Sequence, residues 1–420
     1  STARVRWRAL VTRDVMLVID RSGSMSEGDG TGRRKIDAAK DAVSLFVQLV
    51  RADTGNRAGM VSFSTTAGPP TFPIAPVTDA NKNALIGPPP YAGGLVGTLT
   101  PGGATSIGEG LDAARAQFPM PGANPRAILL LTDGLQNRPR YIEEVEPALA
   151  GIDIHAIGLG SDSNLDGTLL SALAAAHGGL YTRASSGLAL LKFFSQAFGN
   201  IFEAGVLLDP ESDLPAGQSA QPLTFRVCGE ERLTAVVGWD RTDTNLIVRL
   251  RTPGGTIVDA ATSGVESQLG RNWTYLRVPL PQGGERDGAW QVEVLRPRGG
   301  GEFPPPTPAL RYFVSVIPAG GPRLLREPEE HARGYTGDTI SPLLRLRQAD
   351  GSWPHELAIE LTVLRPDAGI GNILSDSGLG PGEIIDGDEL PPRQATLKAI
   401  EKTNGRPAIH YVEEHFTLKE

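Results

Sequence analysis

Two apolar runs constrain this chain more than any other feature. VMLVI (15–19) and AILLL (127–131) each offer five consecutive hydrophobic residues with no polar face. The first runs straight into Asp20, and the second reaches Asp133 after one threonine. A short apolar run without alternation reads as a strand buried on both faces, the kind found in parallel sheets covered by helices. Helical spacing follows the first run, with Ile36, Ala39, Val43, Phe46, Val47 and Val50 recurring along RRKIDAAKDAVSLFVQLV. AGMVSFS (58–64), DIHAIGLG (153–160) and GLYTRA read as further strands. SIGEGLDAARAQF (106–118), LDGTLLSALAAAHGG and GLALLKFFSQAFGNIFEA read as helices. Residues 14–204 are therefore expected to form a doubly wound, Rossmann-like α/β domain with a parallel sheet, preceded by an N-terminal extension over 1–13. In such domains ligands bind beyond the carboxyl ends of the strands, which is where Asp20 and Asp133 fall.

The pattern changes after about residue 206. PLTFRV, RLTAVVGW, NLIVRLRT, WTYLRVPL, GAWQVEVLRP and LRYFVSVIP are short alternating runs separated by turn signals such as Pro253-Gly254-Gly255 and Gly283-Gly284. That predicts an antiparallel β-sandwich of immunoglobulin or fibronectin type over 205–318. PAGGPR (318–323) marks the next boundary, and 319–420 is expected to hold a second β-rich, Ig-like domain, with an exposed Gly/Asp/Pro-rich loop over 366–393 and a last strand at IHYVEEHFTL. A length of 420 residues suits such a division.

Composition excludes several roles. The net charge is −8 and no basic stripe is present, so nucleic acid is not an expected partner. No stretch approaches the roughly 18 apolar residues of a membrane span. No signal peptide is visible, though a chain that starts at Ser1 says little about compartment. Arg far outnumbers Lys, the imprint of a GC-rich, bacterial-looking genome. The one cysteine, Cys228, can make no internal disulfide and is expected as a small buried hydrophobe.

The chemistry gathers after the two apolar runs. Asp20, Ser22 and Ser24 are spaced by two, with Gly23 free to turn the loop. A carboxylate and two hydroxyls suit a hard cation such as Mg²⁺, which takes six oxygens at about 2.0–2.1 Å and retains waters. TPGGATSIGEGL (100–111) offers Thr105 just before a helix, and LLLTDG (129–134) offers Asp133 at the end of a strand. Weaker signals read as structure. DSNLDG (162–167) lacks the Glu that would complete an EF-hand loop and is expected to cap a helix through Asp166. GDGTG (28–32) lacks the Lys-Ser/Thr of a phosphate-binding loop, and His155 is expected in the core. Asn272-Trp273-Thr274 matches a glycosylation sequon by chance.

DRSGSM, GGATSIGEGL and LLLTDG, in that order, resemble the von Willebrand factor A domain with a complete metal-ion-dependent adhesion site. The resemblance covers 14–204. It implies that Ser22 and Ser24 ligate the metal directly and that Asp20 acts mostly through water and by fixing the loop. It also implies that Thr105 and Asp133 exchange direct and water-mediated roles when ligand arrives. Mg²⁺ is the expected cofactor, with Mn²⁺ or Ca²⁺ as substitutes. The expected partner is a protein presenting an exposed Asp or Glu, as in adhesion, in an extracellular or cell-surface setting. The domain order looks like the centre of the calcium-activated chloride channel regulator family, whose protease motif HExxH is missing here: His355-Glu356 is followed by Ile359 at the second His position. An alternative is a subunit of an intracellular ATPase-linked or chelatase-type assembly. An enzyme is not expected, since Glu27 and Glu109, the acids nearest the site, are explained equally well by solvation or helix packing.

Overall fold

The computed structural model of the chain describes residues 12–321 apart from 120, 121, 123, 162, 204 and 298–307. Beyond 321 it describes the strands 323–326, 344–347, 358–366 and 411–419, with positions 368, 372 and 400. Most of the expected extension 1–13, the Gly/Pro loop near 300 and the expected loop 366–393 thus lie outside the described residues.

The first unit runs β1 (Asp14–Asp20), α1 (Lys35–Leu49), β2 (Arg57–Phe63), β3 (Phe72–Pro76), α2 (Asp79–Ile86), α3 (Gly94–Gly97), α4 (Ile107–Arg115), β4 (Arg126–Thr132), α5 (Ile142–Val145), β5 (Ile152–Leu159), α6 (Gly167–Ala176), β6 (Tyr181–Ala184) and α7 (Gly187–Phe202). Its sheet has the order β3-β2-β1-β4-β5-β6. All pairings are parallel except β2 with β3, so the sheet is mixed rather than purely parallel as expected. The reason is connection length: the few residues between β2 and β3 allow a hairpin return but not a crossover helix. Side chains of β1 and β4 pack alternately into two cores. Val15, Leu17, Leu129 and Leu131 meet α1 and α7 on one face. Met16, Val18, Ile128 and Leu130 meet α4, α5 and α6 on the other. Asp166 does cap α6, accepting from the Leu169 N–H at 3.0 Å. His155 lies in the interior of β5, as expected.

The second unit comprises β7 (Glu211–Leu214), β8 (Leu223–Val227), β9 (Arg232–Trp239), β10 (Ile247–Arg251), β11 (Ile257–Val258), β12 (Glu266–Leu269), β13 (Trp273–Pro279), β14 (Gly288–Leu295) and β15 (Leu310–Ala319). They form antiparallel sheets ordered β11-β10-β14-β8 and β12-β13-β9-β15-β7, with a shared core around Trp239, Leu276, Trp290 and Val314. The short strands β7 and β12 carry too few apolar residues to be read from the sequence, β11 is only two residues long, and β3 carries Pro73 and Pro76. Farther on, β16 (Arg323–Arg326) pairs with β17 (Leu344–Arg347), and β18 (Ala358–Pro366) with β19 (Tyr411–Lys419), both antiparallel.

One local expectation is corrected, and a second, the chance reading of the sequon, agrees with the fold. Cys228 is exposed, because it follows β8 in phase with the outward-facing Thr224 and Arg226 while Phe225 and Val227 take the core. Asn272 is buried and its amide donates to the Trp239 carbonyl at 3.1 Å, which removes it as a glycan acceptor in the folded chain.

The five-stranded sheet is covered on both faces. While one face joins the sandwich core, the other presents Val236, Trp273, Tyr275, Phe313 and Ile317 to α1 and α7. Tyr91 stacks on Trp273 with ring centroids 5.7 Å apart. Arg277 donates to the Leu49 carbonyl, and Lys82 Nζ donates to the Gln48 carbonyl at 3.2 Å. These groups cap the C-terminal end of α1, whose own last turn has no basic residue.

Candidate metal centre

The site forms where the strand order reverses. β1 lies between β2 and β4, so the loops after β1 and β4 leave the sheet side by side. The loop after β1 tightens into a 3-10 turn over Gly23–Ser26. The Gly23 N–H donates to the Gly103 carbonyl at 2.9 Å, and the Gly102 N–H to the Arg21 carbonyl at 2.8 Å. The Thr105 N–H donates to Asn137 Oδ1 at 2.9 Å, and the Asn137 N–H returns a bond to the Thr105 carbonyl at 3.0 Å. Backbone and amide contacts thus join three loops from distant parts of the sequence.

Inside this frame the expected residues converge. Asp20 is fully buried, accepting from the Ser22 N–H on Oδ1 and from the Thr132 hydroxyl on Oδ2, both at 2.7 Å. Each of its oxygens holds a protein donor, so Asp20 ties the loop after β1 to the end of β4. Ser22 Oγ and Ser24 Oγ are 3.1 Å apart, and Ser24 donates to Asp133 Oδ1 at 2.8 Å. Thr105 is buried, and a Cβ placed on Gly134 would lie 3.3 Å from its Oγ1 and 3.5 Å from Ser24 Oγ. The missing side chain at Gly134 leaves room beside both hydroxyls.

Two residues of the site were not read from the sequence. Thr132 anchors Asp20, and Lys35 Nζ donates to Asp133 Oδ2 and to Glu27 Oε2, each at 2.8 Å. The available signal for Lys35 was its position as the first residue of a helix, where an ammonium opposes the helix dipole and calls for an acidic partner.

Buried charges of both signs meet at this site. Burial, together with the facing Asp133 carboxylate, raises the Asp20 pKa to about 7. Burial also raises Asp133, against the opposing pull of Lys35 and Ser24. For Lys35 burial pulls downward, but Asp133 and Glu27 outweigh it and hold the ammonium charged. Among the described residues no group of three or more His, Cys, Asp or Glu side chains is arranged to hold a metal. The donors here are instead two carboxylates and three hydroxyls, an all-oxygen set suited to Mg²⁺ and unsuited to soft metals.

Several solved structures are similar to this chain. The PilB minor pilin from Streptococcus sanguinis is 19% identical, with a TM-score of 0.38, over 47% of this chain and 63% of that one. A von Willebrand factor type A protein from Catenulispora acidiphila is 15% identical, with a TM-score of 0.38, over 75% and 61%. Proximal thread matrix protein 1 from the mussel byssus, with a zinc-occupied adhesion-site motif, is 20% identical, with a TM-score of 0.37, over 49% and 49%. This chain therefore spans less than two thirds of each of those proteins. The uncharacterized protein YwmD of Bacillus subtilis (strain 168) is 29% identical over 182 residues, 41% of this chain and 79% of that protein. Residues 15–136, which contain Asp20, Ser22, Ser24, Thr105 and Asp133, match the von Willebrand factor type A domain.

Proposed function

We propose that the α/β unit is a metal-dependent protein-interaction module that captures an acidic side chain of a partner. The observation that carries this reading is the meeting of Asp20 and Asp133 with three hydroxyls on loops stitched together at the switch point of the sheet. Ser22, Ser24, Thr105 and Asp133 would hold the ion, and Asp20 would keep the first loop in shape. A bound Mg²⁺ supplies an electrophilic position that a carboxylate oxygen can fill. Asp20 and Asp133 stay dry beneath the loops, so their charge is felt strongly by a cation. The role is non-catalytic: Glu27 is engaged by Lys35, and Glu109 lies in the first turn of α4, where an acid favours the helix.

The antiparallel sheets packed against α1 and α7 favour an adhesive or scaffolding protein over a subunit of an ATPase-linked or chelatase-type assembly. An extracellular or cell-surface setting goes with that reading. Among the described residues no helix is long and apolar enough to cross a membrane.

Thermal melting of the whole chain with and without Mg²⁺ tests the proposal. Mg²⁺ at about a hundred times its Kd should stabilise the wild type by about 2.7 kcal/mol. Asp133→Ala should remove that response while leaving a cooperative melt in EDTA. A wild-type protein indifferent to both Mg²⁺ and Mn²⁺ would sink the reading.

A further inference from the structure

We propose that Lys35 is a tethered counter-ion of the carboxylate site, weakening its hold on a divalent cation and leaving Asp133 a single oxygen with which to grip one. The inference rests on the metal-site reading above and adds a residue that sets its strength. Lys35 is 4% exposed at the first position of α1, a place that helix electrostatics disfavour for a cation. Buried lysines are rare unless paired, and this one is paired twice, with Asp133 and with the exposed Glu27.

The two oxygens of Asp133 are divided between different partners. Oδ1 faces Ser24 and the hydroxyl cluster, whereas Oδ2 faces the ammonium. A cation among the hydroxyls would therefore meet Oδ1 alone. Lys35 also places a fixed positive charge beside the buried Asp133 carboxylate, and that charge opposes any divalent ion held there. The same charge favours an incoming carboxylate, because it offsets the negative charge of Asp133. Lysine suits this post better than arginine: its charge is compact, and a planar guanidinium needs more room beside the cluster.

The charge and the positioning roles predict opposite results. If the charge matters, Lys35→Met should bind Mn²⁺ at least about tenfold more tightly than the wild type. Lys35→Gln, which keeps an N–H donor for Asp133 Oδ2, should tighten binding in the same direction. Lys35→Arg should stay within about threefold of the wild type. Both neutral variants should melt at lower temperature in EDTA and recover on adding Mn²⁺, because Asp133 has lost its counter-ion. The experiment is isothermal titration of the full chain with Mn²⁺, alongside Asp133→Ala and melting curves. If the wild type binds through Asp133 but both neutral variants bind equally or more weakly, the Lys35 inference falls and the site stands. If Asp133→Ala binds as well as the wild type, or neither the wild type nor the neutral variants bind, the site reading falls and takes this inference with it.

Discussion

His155 carries the clearest single-residue consequence outside the site. It sits inside β5, and burial lowers its pKa to about 4, with Asp153 pulling upward and Arg13 downward. The unfolded imidazole titrates near 6.5, so between pH 6.5 and 4 the unfolded chain takes up a proton that the native state refuses. His155 therefore adds nothing against folding at neutral pH and destabilises progressively as pH falls through that window. The full effect is up to roughly 3 kcal/mol at one pKa unit per 1.36 kcal/mol. His155→Leu should flatten this part of the profile, read as the difference in urea midpoint between pH 7 and pH 4.5. An unchanged acid loss in the variant would mean that the imidazole is not what titrates.

At the scale of elements, α4 shows how closely this sheet is covered. Gly110 lies mid-helix, where glycine is a poor helix former by about 1 kcal/mol. A Cβ there would sit 2.6 Å from Phe63 Cδ1 and 2.9 Å from Val18 Cγ1. The helix must approach the strands this closely, since Thr105 lies just ahead of its first turn. Gly110→Ala should therefore destabilise by about 1–3 kcal/mol, overpacking outweighing the propensity gain. Equilibrium urea unfolding checks the sign. A more stable variant would show that the helix can back away from the sheet. The final helix α7 is held differently: Ser186 caps its N-terminus, accepting from the Ala189 N–H at 3.2 Å. Halfway along, the Ser195 hydroxyl donates to the Lys192 carbonyl at 2.7 Å and lies 3.2 Å from the Ser315 hydroxyl of the sandwich.

At the scale of the molecule, the α/β unit and the five-stranded sheet share one continuous core, so the two should unfold together. Trp273 is fully buried, stacks on Tyr91 and lies 6.4 Å from the parallel ring of Tyr275. Trp273→Ala is expected to cost about 3–5 kcal/mol, the range for deleting a large buried aromatic. Calorimetry should record one transition that includes both parts and moves as a whole in the variant. A sandwich transition that shifts while that of the α/β unit stays in place would show that the interface contributes little. Because β15 and α1 cover α7 from two sides, any shift of that helix must be felt in the sandwich.

The sequence alone determined the alternation of strands and helices over 14–204, since fully apolar runs and 3.6-residue spacing are local patterns. It also placed Asp20 and Asp133 at the ends of neighbouring strands, whereas grouping them with Ser22, Ser24 and Thr105 rested on the resemblance of three ordered motifs. Tertiary structure decided what local pattern cannot encode. Lys35 enters the site only because α1 starts beneath Asp133, and no spacing rule links two residues so far apart. Cys228 turned outward because strand phase, not residue type, assigned its side. RLTAVVGW and LRYFVSVIP were read as strands of a sandwich, yet both faces of β9 and β15 are buried, one against the partner sheet and the other against α1 and α7. Their excess of apolar residues is the imprint of a second interface, and only the docked helices reveal which side each residue serves.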